Sequence, residues 1–564
     1  MRAFLYEREE QLSVPFNHDM VEGLWFCTRR NVKRILKQME AEGYFQYVPG
    51  KGRGHYSVLT FHQPFRDEVE HYVKKYVQSN NLDQLAFILR LPIPKPWIID
   101  VSADFQRLLG FKRSEESKDI LYTFKSREIT TLDPTLSAIA LEVHLIRQLG
   151  DTLVQFDTDQ SRIIPHLAHH FKVDQSEQIY TFYLRKDIYF HNMEKLSSTD
   201  VVSTIHRLKK SKRYSWLVDS IKEVKAESPF KVSFHLRKKN ALFLHMLSTP
   251  TLVILPEFTS FNEHEWIGTG PFMLKERTRT KLVLQAFEHY FKERALIDEV
   301  HFHTISKDAE DSMYLQHVPE QTSQPEEYSV HDMCVVSLLF NQQSNQLLQN
   351  TYLREAIFHL LDISKLAADL SFEVKEASTF SEERSTQLLK QKHLIPDLLS
   401  RSNYNGEVLK VGYLKNELTE REALWLIQEA REFGINLILN PIAHEQFYEP
   451  MIMNEVDLLF MKVVFSPDWH LSFLSMFKNE QLYFLPYLQE TDKHKLLNMI
   501  RSFEESTSYQ NREQIINDVE LYLKEGYHLV FLYHPVIKRK LDPIIQDASH
   551  HSFGHLDFSK LWLS

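Results

Sequence analysis

The stretch FCTRRNVKRILKQMEAEGYFQYVPGKGRGHYSVLTF, residues 26–61, holds seven basic side chains (Arg29, Arg30, Lys33, Arg34, Lys37, Lys51, Arg53) against two acids, Glu40 and Glu42. The chain around it is acidic, with 66 Lys+Arg and 76 Asp+Glu in 564 residues. Within the stretch, Val32, Ile35, Leu36 and Met39 stand at i, i+3, i+4, i+7 and predict one apolar face of a helix. The segment before it, NHDMVEGLW (17–25), reads as another helix, the first of the pair. Asn17 is placed to cap the first helix and Thr28 the second, each through a first-turn backbone N–H. Gly43 falls where a helix C-terminus favours a left-handed residue. Beyond it YFQYV and HYSVLTF alternate like strands around PGKGRG, a hairpin tip with three glycines, a lysine and an arginine.

Helix, turn, helix and basic hairpin in that order predict a winged helix-turn-helix. The cations crowd the N-terminal half of the second helix, where the macrodipole favours acids. That local cost suggests an external anion, and the first turns of a recognition helix are what approach base edges and phosphates. The expected DNA-binding residues are Thr28, Arg29, Arg30, Asn31, Lys33, Arg34 and Lys37, with Lys51, Arg53 and His55 on the wing. Arg29 and Arg30 are the expected base-edge contacts. Little chain precedes Asn17, so the first helix of the usual three-helix core is expected to be short or absent.

Length implies more than one core. Only 14 glycines occur, against the roughly forty that a usage of about 7% would give. Neither GxxxxGK[ST] nor GxGxxG is present, which lowers the expectation of nucleotide chemistry. Cys27 and Cys334 lack metal-ligand spacing and read as buried thiols. The start MRAFLYEREE carries no secretory pattern, and the longest apolar runs fall short of the ~20 residues a bilayer requires. The expected location is cytoplasmic, with no membrane partner.

After the wing, 63–118 reads as a helical, proline-rich linker. PIPKPW (92–97) is expected to be a stiff extended spacer, a hinge and the covalent route between the DNA-binding module (1–62) and a large α/β domain over 119–564. DILYTF, KVSFHLRK, EVHFHTI and CVVSLLFN are expected strands. LREAIFHLLDISKLAADL, TEREALWLIQEAREFG and DKHKLLNMIRSFEE are expected helices.

TLDPT (131–135), LGDTLVQFDTDQSRIIPHLAHHFKV (149–173), YTFYLRKDIYFHNMEKLSSTDVVSTIHRL (180–208) and GTGPFMLKE (268–276) resemble family 5 solute-binding proteins, the peptide- and nickel-binding components of ABC importers. AFEHYFKERALIDEVHFHTI (286–305), LLFNQQ and LREAIFHLLDISKL extend the resemblance toward the C-terminus. A winged helix ahead of such a domain resembles the SgrR-type transcriptional regulators. The resemblance implies a two-lobed periplasmic-binding-protein-like sensor, lobe I over about 119–335 and 528–564 and lobe II over about 336–527. It implies a regulator of transporter genes that binds double-stranded DNA and, between the lobes, a peptide, sugar or sugar-phosphate-like metabolite. A homodimer is compatible with it. The alternative is a cytoplasmic solute-binding or scavenging protein whose N-terminal module binds another protein.

The chain departs from the family where FHNMEK (190–195) lacks the glycine of the usual tight turn. FSPDWHLSF supplies Asp468 and Trp469 as candidate ligand residues in a loop that the family uses for ligand; Trp266 and Trp425 are further candidates for a cleft wall. HLAHH (166–170) is expected to form a short amphipathic helix with Leu167 and Phe171 inward and its histidines near solvent. No metal site is expected there or at His550, His551 and His555, since no acid or cysteine clusters with them. No catalytic motif, and no cofactor, is expected.

Overall fold

The protein is described from a computed structural model covering residues 1–25, 27–50, 56–106, 110–113, 118–125, 127–306, 309, 326–331, 334–443, 455–478, 485–541, 545–546, 550–551 and 555–563. The chain divides into two compact units. One comprises Met1–Ile129, Leu274–Ala286 and Leu296–Gln324; the other comprises Thr130–Met273, Phe287–Ala295 and Pro325–Ser564.

The first unit opens with a single helical turn, α1 (Arg2–Leu5), followed by β1 (Ser13–Phe16), α2 (His18–Trp25), α3 (Arg29–Ala41), β2 (Phe45–Val48) and β3 (Ser57–Phe61). The strands form an antiparallel sheet in the order β1-β3-β2. Val32 and Leu36 of α3 bury against Leu5, Val14, Phe16, Val21, Phe45 and Leu59. This is the winged helix, and its first helix is as short as the sequence requires. Asn17 Oδ1 accepts the Asp19 N–H at 3.1 Å. Thr28 stands at the N-cap of α3 but makes no side-chain capping bond, contrary to expectation. α3 ends as expected: Gly43 has φ +82°, its N–H reaches the Glu40 carbonyl at 2.9 Å, and the Tyr44 N–H reaches the Met39 carbonyl at 3.1 Å. This pair of bonds is a Schellman motif.

Residues 63–118 are not a linker in this structure. α4 (Phe65–Gln78), α5 (Leu82–Leu89) and α6 (Lys95–Gln106) share a core of Phe65, Val69, Leu85, Leu89, Ile93 and Ile98. The proline stretch turns into α6 instead of running extended. Pro96 lies in the first turn, where the missing N–H costs no helical bond, and the Pro94 carbonyl accepts the N–H groups of Trp97 and Ile98 at 2.9 and 3.2 Å.

A five-stranded sheet completes the unit in the order β12-β13-β14-β5-β4: β4 (Gly110–Arg113), β5 (Asp119–Lys125), β12 (Phe272–Arg277), β13 (Lys281–Ala286) and β14 (Glu299–Thr304). Ile305, Tyr122 and Phe124 pack on the helical core, and Arg90 donates to the Thr304 carbonyl at 2.6 Å. The backbone passes between the two units after Ile129, Met273, Ala286, Ala295 and Gln324. PIPKPW lies wholly within the first unit, folded into its helical core instead of forming a free spacer.

The second unit contains α7 (Ala140–Leu149), a β6–β7 hairpin (Val154–Asp157, Arg162–Pro165), α8 (Ser198–Lys209), α9 (Phe243–Leu247) and a four-stranded sheet, β10-β11-β9-β8. These strands are β8 (Ala168–Val173), β9 (Ile179–Leu184), β10 (Ile221–Ser228) and β11 (Lys231–Leu236). HLAHH thus enters a strand, not a helix, because Ala168–Val173 pairs antiparallel with β9. His169 and His170 are exposed there, while His166 is buried.

A second sheet in this unit runs β15-β21-β16-β20-β18-β19, with β17 paired to β21. Its strands are β15 (Glu326–His331), β16 (Cys334–Phe340), β17 (Val374–Glu376), β18 (Leu409–Leu414), β19 (Leu437–Ile442), β20 (Leu458–Val464) and β21 (Leu529–Leu541). β16 is buried on both faces. Val335 and Leu339 join the core containing Phe182 and Phe234, while Val336, Leu338 and Phe340 join the core of the helices that flank this sheet, the alternation a strand enforces. β21 runs through this sheet, pairing with β16 over Leu529–Tyr533 and with β15 over Val536–Leu541. Further on, Asp557 accepts from Gln148 Nε2 at 3.4 Å and Phe558 meets the His144 ring.

Candidate nucleic-acid interface and ligand residues

At 3.6 residues per turn, Arg30, Lys33, Arg34 and Lys37 fall within an arc of about 100° on α3, opposite the buried Val32 and Leu36. All four are exposed. Arg29 lies to one side and meets Asp19 of α2 at 3.5 Å. Arg34 Nε donates to Asn31 Oδ1 at 3.1 Å, which holds the guanidinium over the first turns. The two acids of the stretch sit at the far end: Glu40 accepts the Tyr47 N–H at 2.7 Å and Glu42 accepts from Gln38. The field of this face is felt underneath. His18, bonded to the Tyr47 hydroxyl at 3.0 Å, has its pKa lowered by burial first and then by Arg29 and Lys33. Lys51, Arg53 and His55 lie outside the described residues.

The four ligand candidates do not come together. Trp266 is 2% exposed and donates Nε1–H to the Leu132 carbonyl at 2.8 Å. Trp425 is buried in the core beside the second sheet, with its Nε1–H on Asp369 at 2.9 Å. Both indoles are packing residues, and their N–H groups are spent. Asp468 and Trp469 remain adjacent at the start of the helix Trp469–Lys478. Trp469 is half-buried against Phe465, with the Arg384 guanidinium 5.5 Å from its ring. Asp468 is not free: its Oδ2 meets His245 Nδ1 of α9 at 2.7 Å and its Oδ1 accepts the Leu471 N–H at 3.2 Å. Sequence reading missed His245, since a contact across 223 residues leaves no local pattern.

Four of the sequence motifs meet at Asp151. Its carboxylate takes His166 Nε2 at 2.6 Å, Thr269 Oγ1 at 3.0 Å and the Tyr290 hydroxyl at 3.2 Å, so LGDTL, IIPHL, GTG and EHYF are tied at one buried point. Burial lowers the His166 pKa and raises that of Tyr290 well above its ordinary value. Both act as neutral partners of one carboxylate. Gly268 and Gly270 lie so close to α7 that a Cβ would run into the Leu149 and Gln148 backbone. This knot holds structure. In FHNMEK, Met193 takes φ +68°, the left-handed position for which a glycine was expected.

Residues 162–483 match the model of bacterial extracellular solute-binding proteins, family 5. The chain belongs to this family. Residues 4–93 match the N-terminal model of the sugar transport-related sRNA regulators, so the two modules occur in the order of an SgrR-type regulator. The uncharacterized protein YhjP of Bacillus subtilis (strain 168) is 27% identical over 96% of this chain and 94% of its own. The HTH-type transcriptional regulator SgrR of Yersinia enterocolitica is 29% identical over 56% of each chain. Among solved structures, NikA from Brucella suis in complex with Fe(III)-EDTA covers 79% of this chain and 100% of its own at 18% identity, TM-score 0.68. DppA from Helicobacter pylori with the peptide STSA gives TM-score 0.67 over 79% of this chain and 98% of its own, also at 18% identity. Winged helix and two-lobed solute-binding fold are thus both present. Among the described residues no helix is long and apolar enough to cross a membrane.

Proposed function

We propose that this chain is a cytoplasmic, non-enzymatic transcriptional regulator that binds double-stranded DNA through α3 and its wing, and a small molecule between the lobes of its solute-binding unit. The observation that carries the reading is the exposed face of Arg30, Lys33, Arg34 and Lys37, set opposite the apolar face that anchors α3 in a winged helix. A net charge of −10 gives the whole chain no attraction for DNA, so affinity rests on this patch. The relative named as a transcriptional regulator supports the same assignment, and the peptide complex of a fold neighbour supports a small ligand between the lobes. Asp468 and Trp469 are the ligand residues that this reading retains.

The test is genome-wide DNA occupancy, followed by salt titration on a recovered site. A log–log slope of about −3 to −5 is expected for three to five phosphate contacts per module. Association that does not respond to salt would sink the reading.

A further inference from the structure

On the four-stranded sheet of the second unit, a cavity of about 500 Å³ is lined by His169 of β8, by Tyr183, Arg185, Lys186 and Asp187 at and beyond the end of β9, and by Phe291. That volume suits a small molecule rather than a chain. Its arginine is built in. The Arg185 N–H donates to the Leu167 carbonyl at 3.0 Å and its Nε to the His166 carbonyl at 2.7 Å. The guanidinium is therefore fixed, and among the described residues its two terminal nitrogens have no hydrogen-bond or ion-pair partner. Lys186 rests 5.8 Å from the Phe230 ring centre and makes no ion pair among the described residues. The one acid of the lining, Asp187, is already held by Lys195 at 2.7 Å. Lys292, next to Phe291, adds a further positive charge: burial lowers its pKa first, Asp151 opposes this, and the like charge of Arg185 lowers it again.

Surface cations are ordinarily solvated and free to move. Here one guanidinium is pinned at its backbone and at Nε, with its remaining donors turned loose beside a second and a third cation and two aromatic side chains. Planar, pre-set donors of this kind suit bidentate contact with an oxyanion. We propose that this cavity is a binding site for a small-molecule oxyanion, a phosphate or carboxylate group held by Arg185 and Lys186. None of α3, Asp468 or Trp469 contributes to it, so its failure and the failure of the regulator reading are separable.

The test titrates the full chain calorimetrically with inorganic phosphate, and separately with acetate, at constant ionic strength and pH 7.5. Saturable one-to-one binding of phosphate is expected. Lys186→Gln, which leaves the Arg185 anchors intact, should weaken it about tenfold, the worth of one charge-assisted bond. Arg185→Gln should weaken it at least as much. Lys209→Gln, which removes an exposed cation of α8 outside the lining, should leave it unchanged. Equal affinity for acetate would extend the site to carboxylates, and phosphate preference would restrict it to phosphates. No saturable binding of either anion, or equal losses in the Lys186 and Lys209 variants, overturns the proposal.

Discussion

Arg2 of α1 donates to Glu68 of α4 at 2.7 Å, while its Nε and Nη2 hold both oxygens of Glu9 at 2.9 and 2.6 Å. The guanidinium lies 3.9 Å from the centre of the Phe61 ring at the end of β3. One buried arginine thus joins the wing sheet to the helical layer within the first unit. Removing one member of a buried ion pair strands the other, at a cost of about 3–5 kcal/mol. Glu9 is as buried as Arg2, whereas Glu68 is partly exposed and would rehydrate. Arg2→Ala should therefore destabilise the first unit by about 3 kcal/mol in denaturant titration, and Arg2→Lys should recover only part, since an ammonium lacks the fork that spans Glu9. An alanine variant as stable as wild type would remove Arg2 from this role.

The same unit makes a second expectation concrete at the proline stretch. Ile93 is buried in the helical core, whereas Pro92 is exposed. Ile93→Ala should cost about 2–4 kcal/mol, as large-to-small changes in a packed core do. Pro92→Ser should stay within about 0.5 kcal/mol of wild type. Thermal melts that rank the two variants the other way would restore PIPKPW as a spacer.

What the sequence made legible follows from range. Val32, Ile35, Leu36, Met39 and Gly43 act within one helix, and periodicity and glycine chemistry read them directly. β16 was visible as an apolar run for the same reason. PIPKPW misled because proline density signals extension, while Pro96 instead occupies a first helical turn. HLAHH misled because two exposed histidines follow Leu167 and Ala168 at either period, and only pairing with β9 decides for a strand. Trp266 and Trp425 were read as cleft candidates from their type alone, and their partners, Leu132 and Asp369, are 134 and 56 residues away. His245 acts through Asp468, 223 residues away, and the tie of Arg2 to Glu68 spans 66 residues, so neither left a trace in the pattern.

On α3 the geometry separates residues that composition treats alike. Arg30 lies inside the basic arc, but Arg29 sits beside Asp19 and its charge is partly answered. If the face binds DNA, Arg30→Ala should reduce the salt slope by about one phosphate contact. Arg29→Ala should reduce it less, and Asp19→Asn should strengthen non-specific binding. Fluorescence anisotropy across a salt series measures all three. Equal slopes for the Arg29 and Arg30 variants would place both in the interface, as the sequence alone suggested.

Acid should loosen the solute-binding unit through His191. Its Nε2–H donates to the Gly270 carbonyl at 3.1 Å, and its Nδ1 accepts the Gly268 N–H at 3.3 Å. This clasp on the GTG loop requires a neutral ring, because a proton on Nδ1 would face the Gly268 donor. Burial accordingly lowers the His191 pKa to about 4, below the value of about 6.5 in an unfolded chain. Between those values the unfolded state binds the extra proton, so stability rises with pH there. The contribution is complete above about 6.5 and is lost as pH falls toward 4. His528 of the same unit, also lowered to about 4 by burial, acts in the same sense, so His191 carries only a share. His191→Gln keeps a donor and an acceptor but does not titrate. Chemical denaturation from pH 8 to 4 should show wild type losing stability more steeply than the variant below pH 6.5. Parallel curves for the two proteins would mean that the clasp is indifferent to protonation, and the acid sensitivity would then lie with the other histidines.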